Sequence, residues 1–213
     1  AVHSSCNHES VSMEGYRQEI PRLLGRKPNF GAIHFVQLLE RYITEGKIRI
    51  PKLYAAATYH APCELTRLGG VTDEPRRVQG SFIEHLIEPE ESGRIARCCG
   101  AGGLLKATNG AISGDLAEKR FTMLNSTGPE LILSPCPSCD QNLEEASSRF
   151  SDSKPVQDLA EVVAHQTSGM RFLFSSWALL DVVHDTTFDG SGACHTTDWM
   201  DWQYHRNDLF KRW

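Results

Sequence analysis

Five of the seven cysteines in this 213-residue chain lie in three short segments whose spacing predicts one shared metal site. Cys63 is separated by 34 residues from the adjacent Cys98 and Cys99, and 36 further residues lead to Cys136 and Cys139. One tetrahedral zinc takes four ligands, so five thiols exceed what a single ion binds. An iron–sulfur cluster is held by cysteine thiolates and contains several irons, so the pattern favours a cluster. A structural zinc site that uses four of these thiols is the alternative.

The residues around these cysteines favour turns that direct neighbouring sulfurs toward one centre. The two-residue spacing between Cys136 and Cys139 lets a tight turn aim both thiolates at one metal. Cys98 and Cys99 would point to opposite faces of a strand, because strand side chains alternate. In a turn before the run Gly100–Gly103, both can face a cluster. The glycines then allow close approach of the backbone and leave amides free to donate hydrogen bonds to sulfur.

The segments between the cysteines carry the signals of alternating strands and helices. Buried strands are predicted at Lys52–His60 and Pro129–Ser134, each followed by a proline and a cysteine. A turn is predicted at Leu65–Gly70, and a short strand or loop at Gly93–Arg97. The predicted helices are Ile33–Ile43, Glu74–Ile83, Leu104–Leu124, Asp140–Phe150 and Pro155–Val163. This order predicts a layered α/β fold, in which sites lie at the carboxyl ends of strands.

Composition excludes several classes of protein. The net charge is −5, from 22 basic and 27 acidic side chains, and no basic stretch suggests a nucleic-acid partner. The longest apolar run, residues 170–183, contains Arg171 and two serines, so no membrane span is expected in this chain. No basic and then apolar leader opens the chain, and clustered thiols favour a reducing compartment. We therefore expect a cytoplasmic protein, with association to a membrane complex through partners as the alternative.

Three motifs of the chain resemble those of a known family. They are TYHAPC at Thr58–Cys63, CCGAGG at Cys98–Gly103 and SPCPSC at Ser134–Cys139. Together they resemble the cysteine-rich CCG domain of heterodisulfide reductase catalytic subunits and of iron–sulfur subunits of glycolate, lactate and glycerol-3-phosphate oxidoreductases. Lys119–Arg120 and Asp158–Val163 also fit the layout of that domain. The resemblance implies a Rossmann-like layered α/β fold.

The resemblance further implies that a noncubane [4Fe–4S] cluster is held by all five cysteines of these motifs: Cys63, Cys98, Cys99, Cys136 and Cys139. Such a cluster would reduce a disulfide substrate, and its electrons would come from other iron–sulfur or flavin subunits of a redox complex. The alternatives are an electron-relay subunit of a flavin-linked 2-hydroxy-acid or quinone-linked oxidoreductase, and a zinc-binding structural subunit. His60 is the expected proton donor, since an unperturbed histidine titrates near neutral pH; a packed structural histidine is the alternative.

Three regions are expected along the chain. Residues 1–50 would form the end of a preceding domain with connecting helices, and residues 51–166 the CCG iron–sulfur domain. Residues 167–213 would form an irregular aromatic extension that docks a partner subunit, because they contain all four tryptophans. The family normally carries two copies of the domain, and only one full cysteine set is present here. Weaker candidates for a metal site are Cys6 with His3 and His8, and Cys194 with His195.

Overall fold

A four-stranded parallel sheet forms the centre of the computed structural model, which describes residues 2–4, 15, 19–23, 25–26, 29 and 31–168. The strands are β1 (Val2–Ser4), β2 (Ala32–His34), β3 (Leu53–Tyr59), β4 (Ile83–Ile87), β5 (Leu131–Ser134) and β6 (Val156–Asp158). The helices are α1 (Phe35–Thr44), α2 (Glu74–Phe82), α3 (Leu105–Thr108), α4 (Gly110–Asn125), α5 (Pro137–Ser147) and α6 (Leu159–Ser168). Residues 19–23 are also helical. Shorter helical turns lie at Glu64–Leu68 and Gly93–Ile95.

The order of the strands creates a crevice at one edge of the sheet. The sheet has the order β4–β3–β5–β6, and all three pairings are parallel. After β3 the chain crosses to β4 on one side, and after β5 it crosses to β6 on the other. In open parallel sheets, ligands bind outside the carboxyl ends of the strands where the direction of winding reverses. That position lies between the ends of β3 and β5. A separate two-stranded parallel sheet joins β1 to β2.

Alternating side chains of the strands divide the core between the two faces of the sheet. Leu131 and Leu133 of β5 belong to a cluster with residues of α1, α2 and α6. Ile132, between them, belongs to a second cluster with residues of α4 and α5. The predicted α/β layered class is therefore confirmed for the described residues, with helices on both faces of the sheet. The aromatic extension lies outside them.

Several predicted boundaries need correction. The segment predicted as one helix at Pro155–Val163 begins with β6, because residues 156–158 pair with β5. The helix predicted at Glu74–Ile83 ends at Phe82, and β4 begins at Ile83 and pairs with β3. The predicted turn at Leu65–Gly70 overlaps a π-helical turn at Glu64–Leu68. Gly93–Arg97, predicted as a short strand or a loop, is a loop that begins with a 3-10 turn at Gly93–Ile95. Pairing between distant strands, which no local pattern reveals, decided the first two cases.

Two predicted helices also start or break at different residues. The stretch Leu104–Leu124 is interrupted at Asn109, whose side chain caps α4 by accepting from the Ile112 N–H at 3.2 Å. The helix predicted at Asp140–Phe150 is α5, and it begins at Pro137, because proline suits the first turn of a helix. Cys139 therefore lies in the first turn of α5. No helix in the described part of the chain is long and apolar enough to cross a bilayer.

Candidate metal centre

The three cysteine segments meet at the carboxyl edge of the central sheet. Cys63 lies just beyond β3, and Cys136 lies just beyond β5 as the residue that precedes α5. Cys98 and Cys99 follow the 3-10 turn at Gly93–Ile95. The parallel arrangement of β3 and β5 places their ends at the same edge, which is why segments far apart in sequence converge here.

The five thiols form a continuous series of contacts. The Sγ atoms of Cys63 and Cys98 are 3.9 Å apart, and those of Cys99 and Cys139 are 3.2 Å apart. Cys98 also interacts with Cys99, and Cys139 with Cys136. Cys99 and Cys139 are buried, whereas the other three thiols are half-buried. The centre thus has a closed half at Cys99 and Cys139 and a more open half at Cys63 and Cys98.

Contacts among the thiols spread their pKa values in opposite directions. Hydrogen bonds from Cys63, from Cys99 and from the backbone N–H of Gly100 lower the pKa of Cys98. The pKa of Cys63 is raised by the hydrogen bond of Cys63 with Cys98 and by its partial burial. Interactions with the neighbouring thiols and burial raise the pKa of Cys139 well above its ordinary value. A metal would favour the thiolate form of all of these groups, because thiolates, and not thiols, bind metal.

Two buried polar side chains hold the loop that carries the adjacent cysteines. Asn142 of α5 donates from Nδ2 to the backbone oxygen of Cys99 at 2.7 Å. Ser113 of α4 donates to the backbone oxygen of Gly100 at 2.9 Å, and Asn142 Nδ2 lies 3.2 Å from the Ser113 hydroxyl. The Gly100 N–H donates to Cys98 Sγ at 3.3 Å, as expected of an amide in the glycine-rich turn. The two helices therefore hold the turn in place beside the thiols.

We expect Asn142→Leu to destabilise the protein by about 1–3 kcal/mol, because it leaves the buried Cys99 carbonyl without its donor. Thermal or urea unfolding of the metal-free chain measures this loss. The matched control is Gln141→Leu, which replaces the exposed neighbouring amide of the same helix and is expected to change stability by less than about 0.5 kcal/mol. Equal stabilities for the two variants would contradict the role of Asn142.

His60 lies fully buried beside the closed half of the centre. A ring nitrogen of His60 and the sulfurs of Cys99 and Cys139 all lie within 4.8 Å of one another. Its Nδ1 accepts a hydrogen bond from Arg120 Nε at 3.2 Å. Burial, together with the charge of Arg120, lowers the pKa of His60 to about 3. The imidazole is therefore neutral at neutral pH. The role of His60 as a proton donor is expected from an unperturbed pKa near neutral, and the pKa in the structure lies well below that value.

The open half of the centre borders a cavity of about 320 Å³. Cys98 is one of its lining residues, and three others are cations, Arg67, Arg97 and Lys119. Arg97 pairs with the Glu91 carboxylate at 2.8 Å. The cavity gives a small molecule access to the half-buried thiol while Cys99 and Cys139 stay closed to solvent.

The residues present fit a sulfur-rich, negatively charged group. Five thiols lie in contact, and soft thiolates prefer iron and zinc. Within the described residues, two buried donor groups beside them, His60 Nε2 and Arg120 Nη2, have no hydrogen-bond partner. Buried donors are normally satisfied, so an acceptor such as a thiolate or sulfide suits this place.

The structure brings together all six residues that the sequence singled out for the main site. Of the weaker candidates, Cys6, His8, Cys194 and His195 lie outside the described residues, as does the side chain of His3. Sequence reasoning missed Ser113 and Asn142 as residues that hold the cysteine loop. The position of Asn142 three residues after Cys139, on the same face of α5, was the available signal.

Comparison with known proteins finds a domain family and parts of several longer proteins that this chain resembles. Residues 57–144 match the family described as the cysteine-rich CCG domain. A dihydromethanophenazine:CoB--CoM heterodisulfide reductase subunit of Methanosarcina barkeri is 35% identical over 150 residues, covering 68% of this chain and 36% of the relative. The EtfAB:quinone oxidoreductase of Syntrophomonas wolfei is 31% identical over 170 residues, covering 74% and 23%. Lactate utilization protein A of Halalkalibacterium halodurans is 30% identical over 118 residues, covering 54% and 46%.

The chain spans about a third of the length of the heterodisulfide reductase subunits that it matches, 36% for the M. barkeri protein. The matched family region runs from β3 into α5. It therefore contains all five thiols, His60 and Arg120.

Proposed function

Because residues 57–144 belong to the cysteine-rich CCG domain family, we propose that this chain is an iron–sulfur subunit of a redox complex. In this proposal Cys63, Cys98, Cys99, Cys136 and Cys139 hold a noncubane [4Fe–4S] cluster. With such a cluster bound, the subunit would reduce a disulfide, the reaction that the name of the heterodisulfide reductase relative indicates for that protein. The observation that carries the proposal is the unbroken series of contacts through all five thiols.

The division of the centre into two halves supports a reaction on a small substrate. When bound, an iron–sulfur cluster supplies one-electron steps and an iron that can accept sulfur. The chain itself keeps Cys99 and Cys139 away from water and leaves Cys98 at the wall of the cavity. Arg67 and Lys119 on that wall attract negatively charged molecules. A disulfide bearing acidic groups would thus be held beside the open half.

The proton source in this reaction stays a prediction. His60 is the candidate because a ring nitrogen lies near Cys99 and Cys139. With its pKa lowered to about 3 by burial and by Arg120, His60 is not an imidazolium acid at neutral pH. A role for it would be hydrogen-bond donation from the N–H of the neutral ring, with the proton itself coming from another source. Loss of disulfide cleavage in His60→Ala with an intact cluster spectrum would support such a role, and an unchanged rate would leave His60 a structural residue.

A relay subunit is the second candidate function. The similarity to EtfAB:quinone oxidoreductase and to lactate utilization protein A favours it, since the names of those proteins mention no disulfide. In this case the chain would pass electrons between a flavin-containing and a further iron–sulfur partner. The zinc-binding structural subunit stays the third candidate, because thiolates also bind zinc.

The test begins with metal content and ends with a disulfide. The chain is purified without oxygen, and iron, sulfide and zinc are measured together with low-temperature EPR spectra of the reduced protein. Reduced methyl viologen then serves as electron donor and 5,5′-dithiobis(2-nitrobenzoate) as a disulfide that carries carboxylates. Each disulfide cleaved takes up two electrons and two protons and gives two thiols. The blank without protein and the Cys98→Ser variant correct for direct reaction with the viologen.

Three outcomes separate the candidates. About four irons per chain and thiol release above both blanks would support disulfide reduction. The same iron content without thiol release from acidic or neutral disulfides would favour the relay. A colourless protein with one zinc per chain would overturn the iron–sulfur proposal.

A further inference from the structure

Arg120 is a cation in the interior whose hydrogen-bond partners are neutral groups. It projects from the buried face of α4 and is 0% exposed, although a guanidinium remains charged in proteins. Its Nε donates to His60 Nδ1 at 3.2 Å, and its Nη1 donates to the backbone oxygen of Glu91 at 3.0 Å. Its Nη2 has no hydrogen-bond partner among the described residues. Glu91 and Glu88 interact with its charge, but no carboxylate accepts a hydrogen bond from it among the described residues. Burying a charge without a directly bonded anion is costly, so this position favours negative charge close to Nη2.

The hydrogen bond from Arg120 to His60 decides which ring nitrogen of His60 carries the proton. A guanidinium has only donors, so Nδ1 of His60 must be the acceptor. A neutral imidazole then carries its proton on Nε2. The His60 backbone N–H donates to the Leu133 oxygen at 2.8 Å, which fixes the residue at the edge of the sheet. The result is a rigid ring with one defined N–H group, on a nitrogen that is buried and has no partner within the described part of the chain.

The two residues that carry these donors lie next to the closed half of the thiol centre. A ring nitrogen of His60 lies within 4.8 Å of the sulfurs of Cys99 and Cys139. The charge of Arg120 also interacts with Cys99. Sulfur is therefore an acceptor available to these donors. Negative charge on that sulfur would add to the more distant carboxylates of Glu91 and Glu88, which interact with Arg120 through space but do not hydrogen-bond to it among the described residues.

We propose that Arg120 is a positioning residue that holds His60 as an Nε2–H donor toward the Cys99 and Cys139 sulfurs, and that this pair raises the reduction potential of the cluster bound there. The proposal rests on the proposed function, because it requires a redox-active cluster at the thiols. Reduction adds negative charge, which a buried cation and an N–H donor stabilise more than they stabilise the oxidised form. Their effect is strong because the site is shielded from water.

The cations on the other side of the centre are not shielded from water. Arg67, Arg97 and Lys119 line the cavity and are exposed, so water and salt screen their charges. Arg97 is also paired with Glu91. The buried pair of Arg120 and His60 is thus suited to setting the potential, whereas the exposed cations are suited to contacting a solute.

The test measures the midpoint potential of the cluster by EPR-monitored redox titration of the anaerobically purified chain. Arg120→Gln is expected to shift the potential to a more negative value, and Arg120→Lys, which keeps the charge, is expected to shift it less. His60→Leu removes the N–H and should shift it in the same direction. The matched control is Arg149→Gln, which removes an exposed arginine paired with Glu118 of α4, and its potential should equal that of the wild type.

A second readout identifies the hydrogen bond itself. Proton ENDOR spectra before and after exchange into deuterated water should show an exchangeable proton coupled to the reduced cluster. We expect this signal to be lost in His60→Leu and weakened in Arg120→Gln. A purely structural role for the two residues would change iron content or stability but would not move this coupling.

The outcomes keep the inference separate from the proposed function. A wild-type chain that binds no iron would overturn both. If the wild type holds the cluster, wild-type potentials and an unchanged exchangeable proton in Arg120→Gln and His60→Leu would overturn the inference alone. If Arg120→Gln binds no cluster, the midpoint potentials of Arg120→Lys and His60→Gln test the inference in its place. His60→Gln keeps an N–H donor, so its potential should lie closer to the wild type than that of His60→Leu, and equal shifts in the two would overturn the inference.

Discussion

Cys99→Ser and Cys139→Ser are each expected to remove nearly all iron from the anaerobically purified chain. A serine hydroxyl does not ionise near neutral pH and is a harder donor than thiolate, so it is a poor ligand for iron in a thiolate site. Cys99 and Cys139 are both buried with their sulfurs 3.2 Å apart, so water cannot easily replace a lost sulfur there. Iron and sulfide per chain and the visible absorption of the protein measure the effect.

The other three positions and two controls complete this series. Cys63, Cys98 and Cys136 are half-buried, so their serine variants should lose iron to a smaller extent. Ser138→Ala alters an exposed residue inside the third motif, and Cys194→Ser removes a thiol outside the five; both should keep full iron content. Full iron in both Cys98→Ser and Cys99→Ser would exclude the five-thiol centre.

Gly100→Ala is expected to lower the free energy of unfolding by roughly 2–5 kcal/mol and to deplete the cluster. Gly100 has φ +84, and an added Cβ would lie 2.7 Å from the Ser113 oxygen and 2.9 Å from Leu116 Cβ. The backbone oxygen belongs to α4 and cannot move away cheaply. The turn must therefore shift, and it carries Cys98 and Cys99 with it. Urea unfolding of the metal-free chain and iron content of the purified protein give the two measurements.

Two neighbouring glycines separate the causes of this effect. Gly103 has φ +62 with no atom within 4 Å of an added Cβ, so Gly103→Ala should cost only the strain of the left-handed conformation, about 1–2 kcal/mol. Gly102 meets no atom within 4 Å and lacks a positive φ, so Gly102→Ala should be nearly neutral. Similar losses of stability in all three variants would contradict the importance of the contact with α4.

The cysteine spacing and the flanking strands were accessible from the sequence. The strand predicted at Lys52–His60 appears as β3 and that at Pro129–Ser134 as β5, each followed by its cysteine. The resemblance to the CCG domain is confirmed by the match over residues 57–144. Local apolar runs and thiol spacing carry this information, since they depend on neighbouring residues alone. The division at residues 50 and 166 stays a prediction, and the tail proposed to dock a partner lies outside the described residues.

Pairing across the sheet was not accessible in the same way. β4 follows α2 without an intervening turn, and β6 has only three residues, so neither has a separate local signal. Both are strands because β3 and β5 offer edges for them to pair with. Strand formation of this kind depends on hydrogen bonds to distant segments, which periodicity does not report.

By itself, the sequence determined which atoms could bind metal: five thiols in three motifs, each set beside a strand end or a glycine-rich turn. Only the tertiary structure decided which surroundings those thiols have. In the sequence, Arg120 is one of two adjacent basic residues in a helix, a pattern typical of a solvent-exposed face. The fold buries it against His60, sixty residues away, and places Asn142 on the carbonyl of Cys99. Burial turns an ordinary cation into a constraint on a histidine, because in a shielded interior each donor needs an acceptor and each charge needs compensation.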